Sequence, residues 1–218
     1  MQRTVGLIHA VIPAMPPLRA AFEALPEVRV LNLLDEALLK EAERLGGIPP
    51  ALVRRMTGLV ALHEQAGAEL VLFTCNAYSP YVDQVQAQSS IPVMPIDQAM
   101  LERALDSGRR LGVLATVAAG LEQQRQSIAR AAAAADREVE VVPVLRPDAF
   151  AALSAGDVAT HDRILLEELA ALAPQVDVVL LAQASMAGLA DKVPPETPVP
   201  VLSSPQLAVS KVKEMLQL

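Results

Sequence analysis

The chain holds a single cysteine, Cys75, inside the stretch Glu69–Pro80, which reads Glu-Leu-Val-Leu-Phe-Thr-Cys-Asn-Ala-Tyr-Ser-Pro. A thiol serves as acid, base or nucleophile once its surroundings tune its pKa. Leu70–Phe73 is a short apolar run of the kind that forms a fully buried parallel strand, and Thr74, Cys75 and Asn76 follow it at once. Ser79-Pro80 then offers an N-cap and a first helical residue. A polar cluster between a buried strand and a helix start falls at the carboxyl edge of an open α/β sheet, where such folds place ligands. The plainer reading of Cys75 is a free cysteine packing as a small hydrophobe; the strand end and the polar neighbours weigh against it.

Composition narrows the class of protein around this stretch. The 218 residues are 52% hydrophobic but only 2% aromatic, with no Trp, so the core is built from Ala, Val, Leu and Ile. That favours alternating helices and buried strands over a β-sandwich. A net charge of -7, no basic stripe and few stacking aromatics argue against nucleic-acid binding. The uncharged run Ala131–Ala135 is too short to span a bilayer, and Pro13, Pro16 and Pro17 break what would otherwise resemble a signal-peptide core. No membrane association is expected, and a cytoplasmic protein is the default. One cysteine excludes an intrachain disulfide and a cysteine-based metal cluster. No phosphate-cradling loop, histidine cluster or nucleotide fingerprint is present, so no metal or other cofactor is expected. A homodimer is the default assembly on general grounds.

The elements that must position Cys75 come in two similar series. The apolar runs predict strands over 4–9, 28–33, 70–73 and 92–96, then over 111–115, 139–144, 178–181 and 199–202, with helices between successive strands within each series. The series align. Gly6-Leu7-Ile8 precedes Gly112-Val113-Leu114 by 106 residues, Glu69–Phe73 precedes Asp177–Leu181 by 108, and Ile91-Pro92-Val93 precedes Thr197-Pro198-Val199 by 106. The pattern predicts an α/β protein of two pseudo-symmetric three-layer halves, each with a small parallel sheet: 1–97, with 204–218 packing back on it, and 98–203. In such a duplication the polar strand ends face each other across a cleft. The spacing pairs Cys75 with Gln183, and His9 and Ala10 with Ala115 and Thr116.

These residues carry a resemblance. Val5–His9, Phe73–Asn76, Leu111–Thr116 and Leu181–Leu189 lie in order along nearly the whole chain. Together they resemble the cofactor-independent Asp/Glu/hydantoin racemase superfamily, which includes arylmalonate decarboxylase and maleate isomerase. The resemblance implies two cysteines, one per half, on opposite faces of a substrate carbon next to a carboxylate: one thiolate removes the proton and the other thiol delivers one. It implies neither pyridoxal phosphate nor metal. Cys75 would be the catalytic residue, its pKa lowered by the helix beginning near Ser79-Pro80. Backbone N–H groups and hydroxyls around Asn76, Ala77, Thr116, Ala184 and Ser185, with Gln183 and His9, would hold a small carboxylate substrate and its enediolate-like intermediate. The family's second cysteine falls on Gln183, which is neither acid nor base near neutral pH.

Amino-acid racemisation or epimerisation through Cys75 is the leading reading. A one-thiol decarboxylase, a cis–trans isomerase and a non-catalytic carboxylate binder stand beside it. Each site residue also has a structural reading. Asn76 forms a turn, Thr116 caps a helix, Gln183 satisfies local backbone, and Ser185 caps the short helix that follows. His9 is a satisfied histidine, and Tyr78 packs or walls the pocket. His63 and His161 are read as structural.

Overall fold

The computed structural model describes residues 2–218. The strands are β1 (Arg3–His9), β2 (Val28–Leu34), β3 (Leu70–Phe73), β4 (Val93–Pro95), β5 (Arg110–Ala115), β6 (Glu140–Leu145), β7 (Val178–Leu181) and β8 (Val201–Leu202). The helices are α1 (Met15–Phe22), α2 (Glu36–Leu45), α3 (Pro50–Gln65), α4 (Val82–Gln86), α5 (Gln98–Ser107), α6 (Ala118–Ala134), α7 (Pro147–Ser154), α8 (Val158–Leu172), α9 (Ala187–Ala190) and α10 (Ser204–Met215). Two parallel sheets result, ordered β2-β1-β3-β4 and β6-β5-β7-β8. The chain divides into two compact units. One holds the described residues up to Gln98 together with Ala208–Leu218, and the other is Ala99–Leu207.

In each sheet the two central strands are apolar on both faces, because both faces are covered. Leu70–Phe73 and Val178–Leu181 are buried at every position. In the first unit Ile8, Val71 and Phe73 pack against Leu38 and Ala42 of α2, Met56 and Val60 of α3, and Val82 and Val85 of α4. In the second unit one face of the sheet (Leu111, Val113, Val178, Leu180) meets Met100 and Ala104 of α5 and Ile128 and Ala132 of α6. The other face (Leu114, Val179, Leu181) meets Ala149 of α7 and Leu165 and Leu169 of α8. Each fully buried Leu or Val there contributes about 1.5–3 kcal/mol.

Two glycines let the helices approach. A Cβ on Gly6 would lie 2.5 Å from the His63 ring of α3, and one on Gly112 would lie 3.0 Å from Leu172 of α8. His63 and Leu172 therefore fill matching places over the first strand of each sheet.

The duplication is visible in the register. Val5 pairs with Leu70 and Leu111 with Val178, at the spacings of 106 and 108 read from the sequence. The last strands correct that reading. Val71 pairs with Val93 and Val179 with Val201, and the Val71 and Val179 N–H groups donate to Pro92 and Pro200. Pro200-Val201, not Pro198-Val199, is thus the counterpart of Pro92-Val93, at 108 residues throughout the later strands. The predicted strand over 199–202 shortens to Val201–Leu202. Helix α5 was not among the predicted elements, although Met100, Leu101, Ala104 and Leu105 recur at helical spacing and are all buried.

Candidate functional site

Cys75 stands one residue beyond the end of β3, in extended backbone (φ -121°, ψ 122°), as the residue before a 3-10 turn over Asn76–Tyr81. The helix expected at Ser79-Pro80 starts only at Val82. Pro80 lies inside the 3-10 turn. Ser79 caps nothing; its hydroxyl donates to Asp97 Oδ1 at 2.6 Å. Cys75 is partly exposed, and its flank packs on the core beneath α2–α4. The expected lowering of its pKa does not occur. Burial pushes the thiol up to about 11, and although the Ala77 N–H pulls downward, the negative charges of Asp97 and Glu43 add to the rise. At neutral pH that rise keeps Cys75 as an S–H.

Behind it lies a polar chain, buried at Thr74 and His9 and exposed at Asn32. His9, at the end of β1, is fully buried. Its Nε2–H donates to Asn32 Oδ1 on β2 at 2.9 Å, which leaves Nδ1 as an acceptor. The Thr74 hydroxyl lies 3.0 Å from that Nδ1 and 3.2 Å from the Ile8 carbonyl, so one hydrogen serves two acceptors. Burial lowers the His9 pKa, with the Asn32 bond pulling the other way. His9 is therefore a satisfied neutral histidine that anchors the residue preceding Cys75. Tyr78 packs: it is fully buried, edge-on to Phe73 at 5.7 Å.

The second unit builds the matching strand end differently. Gln183 precedes a 3-10 turn over Ala184–Met186, with φ -120° and ψ 142°. Its Oε1 accepts from the Thr116 N–H at 3.2 Å and from the Thr116 hydroxyl at 3.4 Å. Thr116 thus binds Gln183 instead of capping α6, whose N-cap is Val117. Ser185 sits within the 3-10 turn and is exposed, so it does not cap the following helix. The Gln183 Nε2 is buried with no hydrogen-bond partner among the described residues.

The predicted residues accordingly fall into two groups: His9, Cys75, Asn76 and Ala77 around the end of β3, and Thr116, Gln183, Ala184 and Ser185 around the end of β7. Sequence reasoning missed Asn32 and Asp97. Asp97 carried a signal, since it follows the buried run Val93–Ile96 directly, as Thr74 follows Leu70–Phe73. Among the described residues no three His, Cys, Asp or Glu side chains gather to hold a metal ion, and no helix is long and apolar enough to cross a membrane.

Each unit carries a four-stranded parallel sheet, and the two sheets repeat one strand order. The family model for Asp/Glu/hydantoin racemase matches residues 22–212, and the chain belongs to that family. Glutamate racemases of a Picosynechococcus strain and of Trichodesmium erythraeum are 25% and 24% identical over 118 residues, or 54% of this chain. Those matches cover 41% and 43% of the relatives, less than half their length. Among solved structures, an aspartate racemase homologue from Pyrococcus horikoshii OT3 superposes with a TM-score of 0.75 at 17% identity, over 100% of both chains. Allantoin racemase from Klebsiella pneumoniae gives 0.72 at 17% identity, over 99% of this chain and 88% of that one. Glutamate racemase from Thermus thermophilus, in complex with β-chloro-D-alanine, gives 0.66 at 20%, over 99% and 81%. These structures share the fold.

Proposed function

We propose that the chain catalyses cofactor-independent proton transfer at the carbon next to a carboxylate of a small molecule such as an amino acid, with Cys75 as its one thiol. The observation carrying this reading is the place of Cys75: partly exposed, directly beyond a buried central strand, and backed by the fixed Thr74–His9–Asn32 chain. Family membership supports it. The raised pKa suits Cys75 to the donating half of the reaction, in which S–H gives its proton to a carbanion and the thiolate is reprotonated afterwards. Gln183 in the matching place supplies no second acid or base. Delivery to a single face, as in a decarboxylase, fits that asymmetry, whereas racemisation needs another base.

A second reading has its own support. A thiol held up to about 11, with an amide in the matching place, also suits a carboxylate binder without turnover.

The deciding experiment is α-proton exchange in D₂O, followed by NMR over amino acids and substituted malonates, for the parent chain and Cys75→Ala. Cysteine-dependent deuterium uptake or CO₂ release establishes proton transfer, and the stereochemistry of the product separates racemisation from one-sided delivery. Ligand binding with neither reaction overturns the enzymatic reading in favour of the binder.

A further inference from the structure

The two sheets end in the strands β2, β4, β6 and β8, and three of these edges are guarded. Strands β4 and β8 are only three and two residues long, too short to template another strand. Strand β6 turns Val141, Pro143 and Leu145 outward, because the Glu140 and Arg146 N–H groups donate inward to Arg109 and Ala115 and successive residues alternate. Pro143 has no N–H, so the middle of that edge offers no donor. Strand β2 carries no such guard. The Asp35 N–H just past it donates inward to His9, which turns Val30, Asn32 and Leu34 outward. Their N–H groups have no backbone acceptor among the described residues. Asn32, beside Leu7, holds the place that Pro143 holds beside Val113. The strand reads Val-Arg-Val-Leu-Asn-Leu-Leu, with Val30, Leu31 and Leu33 half-buried and Leu34 exposed. A seven-residue apolar edge without proline or lysine is built to receive a strand.

Its own sequence fits it. Antiparallel addition of a second β2 brings outward residues together about either Leu31 or Asn32. Centred on Leu31, the pair sets Glu27 against Asp35 of the second copy, two like charges. Centred on Asn32, it sets Arg29 against Asp35, Val30 against Leu34 and Leu31 against Leu33. Arg29 is exposed and has no carboxylate partner among the described residues. Asp35 already binds Arg55, and the exposed Glu36 next to it leaves that end of the strand net negative. Facing opposite charges attract and like charges repel, which selects the register about Asn32. We propose that β2 is an interaction surface for a second copy of this chain, two β2 strands pairing antiparallel about Asn32 so that the first sheets of both copies become one continuous sheet. The proposal goes beyond the proton-transfer reading and does not depend on it.

The test is sedimentation velocity of the full chain over a concentration series, for the parent, Arg29→Glu and Asn32→Pro, with circular dichroism showing that each is folded. A concentration-dependent dimer is expected for the parent. Arg29→Glu changes an exposed residue and turns attraction into repulsion twice per dimer, so it should weaken dimerisation by about tenfold or more. Asn32→Pro copies the guard at Pro143 and should abolish it; if that variant does not fold, Arg29→Glu decides. The register is read by copper–phenanthroline oxidation in a Cys75→Ala background. Asn32→Cys should cross-link two copies, because directly opposed residues stand about 5.5 Å apart, and Leu34→Cys should not. A monomer at every concentration, which would leave β2 to a strand of a different protein, overturns the proposal. So does a dimer that Arg29→Glu leaves unweakened, or one that cross-links at Leu34 and not at Asn32.

Discussion

Cys75 and Gln183 hold the same backbone place in their respective units. Both are extended, both precede a 3-10 turn, and both accept the N–H three residues on, from Tyr78 at 3.1 Å and from Met186 at 3.0 Å. The residues just before them donate to the first strand alike, Thr74 to Ile8 and Ala182 to Leu114, each at 3.0 Å. The backbone at the two strand ends matches, and the turn that follows is longer after Cys75 (Asn76–Tyr81) than after Gln183 (Ala184–Met186). Gln183→Cys is therefore expected to fold and, under the proton-transfer reading with one strand end on each face of the substrate carbon as the family resemblance implies, to scramble stereochemistry during exchange, raising uptake on the second face by about tenfold or more. Chiral analysis of the deuterated product checks this; unchanged one-sided uptake would contradict it.

Cys75 is expected to alkylate slowly at neutral pH. With iodoacetamide the rate should climb about tenfold per pH unit as thiolate forms, levelling off near pH 11. The folded chain holds this proton more tightly than the unfolded chain. Stability should thus fall as pH rises from the ordinary thiol value of 9.0 toward about 11, and Cys75→Ala should remove that alkaline loss. A rate plateau below pH 8 would contradict the prediction.

Acid acts on the first unit through its histidines. Burial lowers the pKa of both His9 and His63, so the folded chain binds fewer protons than the unfolded one. Their contribution is present above the ordinary value of 6.5 and lost as pH falls from there toward the lowered folded values. His63→Leu installs the residue type that Leu172 provides in the second unit and removes a buried Nε2 without a hydrogen-bond partner among the described residues. Urea unfolding across pH should show a shallower acid loss for the variant, with stability at pH 7.5 within about 1.5 kcal/mol of the parent. An unchanged pH slope would count against His63 as a source.

Gly6 and Gly112 should differ in their tolerance of alanine. The Gly6 methyl would meet three His63 ring atoms at 2.5–2.8 Å, whereas the Gly112 methyl would meet Leu172 and Val176 at 3.0–3.2 Å. Gly6→Ala is expected to cost about 1–3 kcal/mol, and Gly112→Ala less. Denaturant midpoints compare them directly, and equal losses would show that the His63 ring yields as easily as the leucine.

The sequence by itself determined the two-sheet α/β architecture, the duplication and the correspondence of Cys75 with Gln183. Buried strands are written locally as runs such as Leu70–Phe73 and Val178–Leu181, and a repeated run aligns without knowledge of the fold. It could not choose between the two Pro-Val pairs of Pro198–Val201, because only the hydrogen bond from Val179 to Pro200 distinguishes them. Nor could it foresee that Asn32, 23 residues from His9, fixes the ring, or that Thr116 turns the Gln183 amide toward Gly120. The Cys75 pKa belongs to the same class: a local helix start argued for lowering, while burial and the charges of Asp97 and Glu43 raise it. Apolar burial follows a periodicity along the chain, whereas hydrogen-bond partners and electrostatic fields act through space. Only the folded chain brings those groups together.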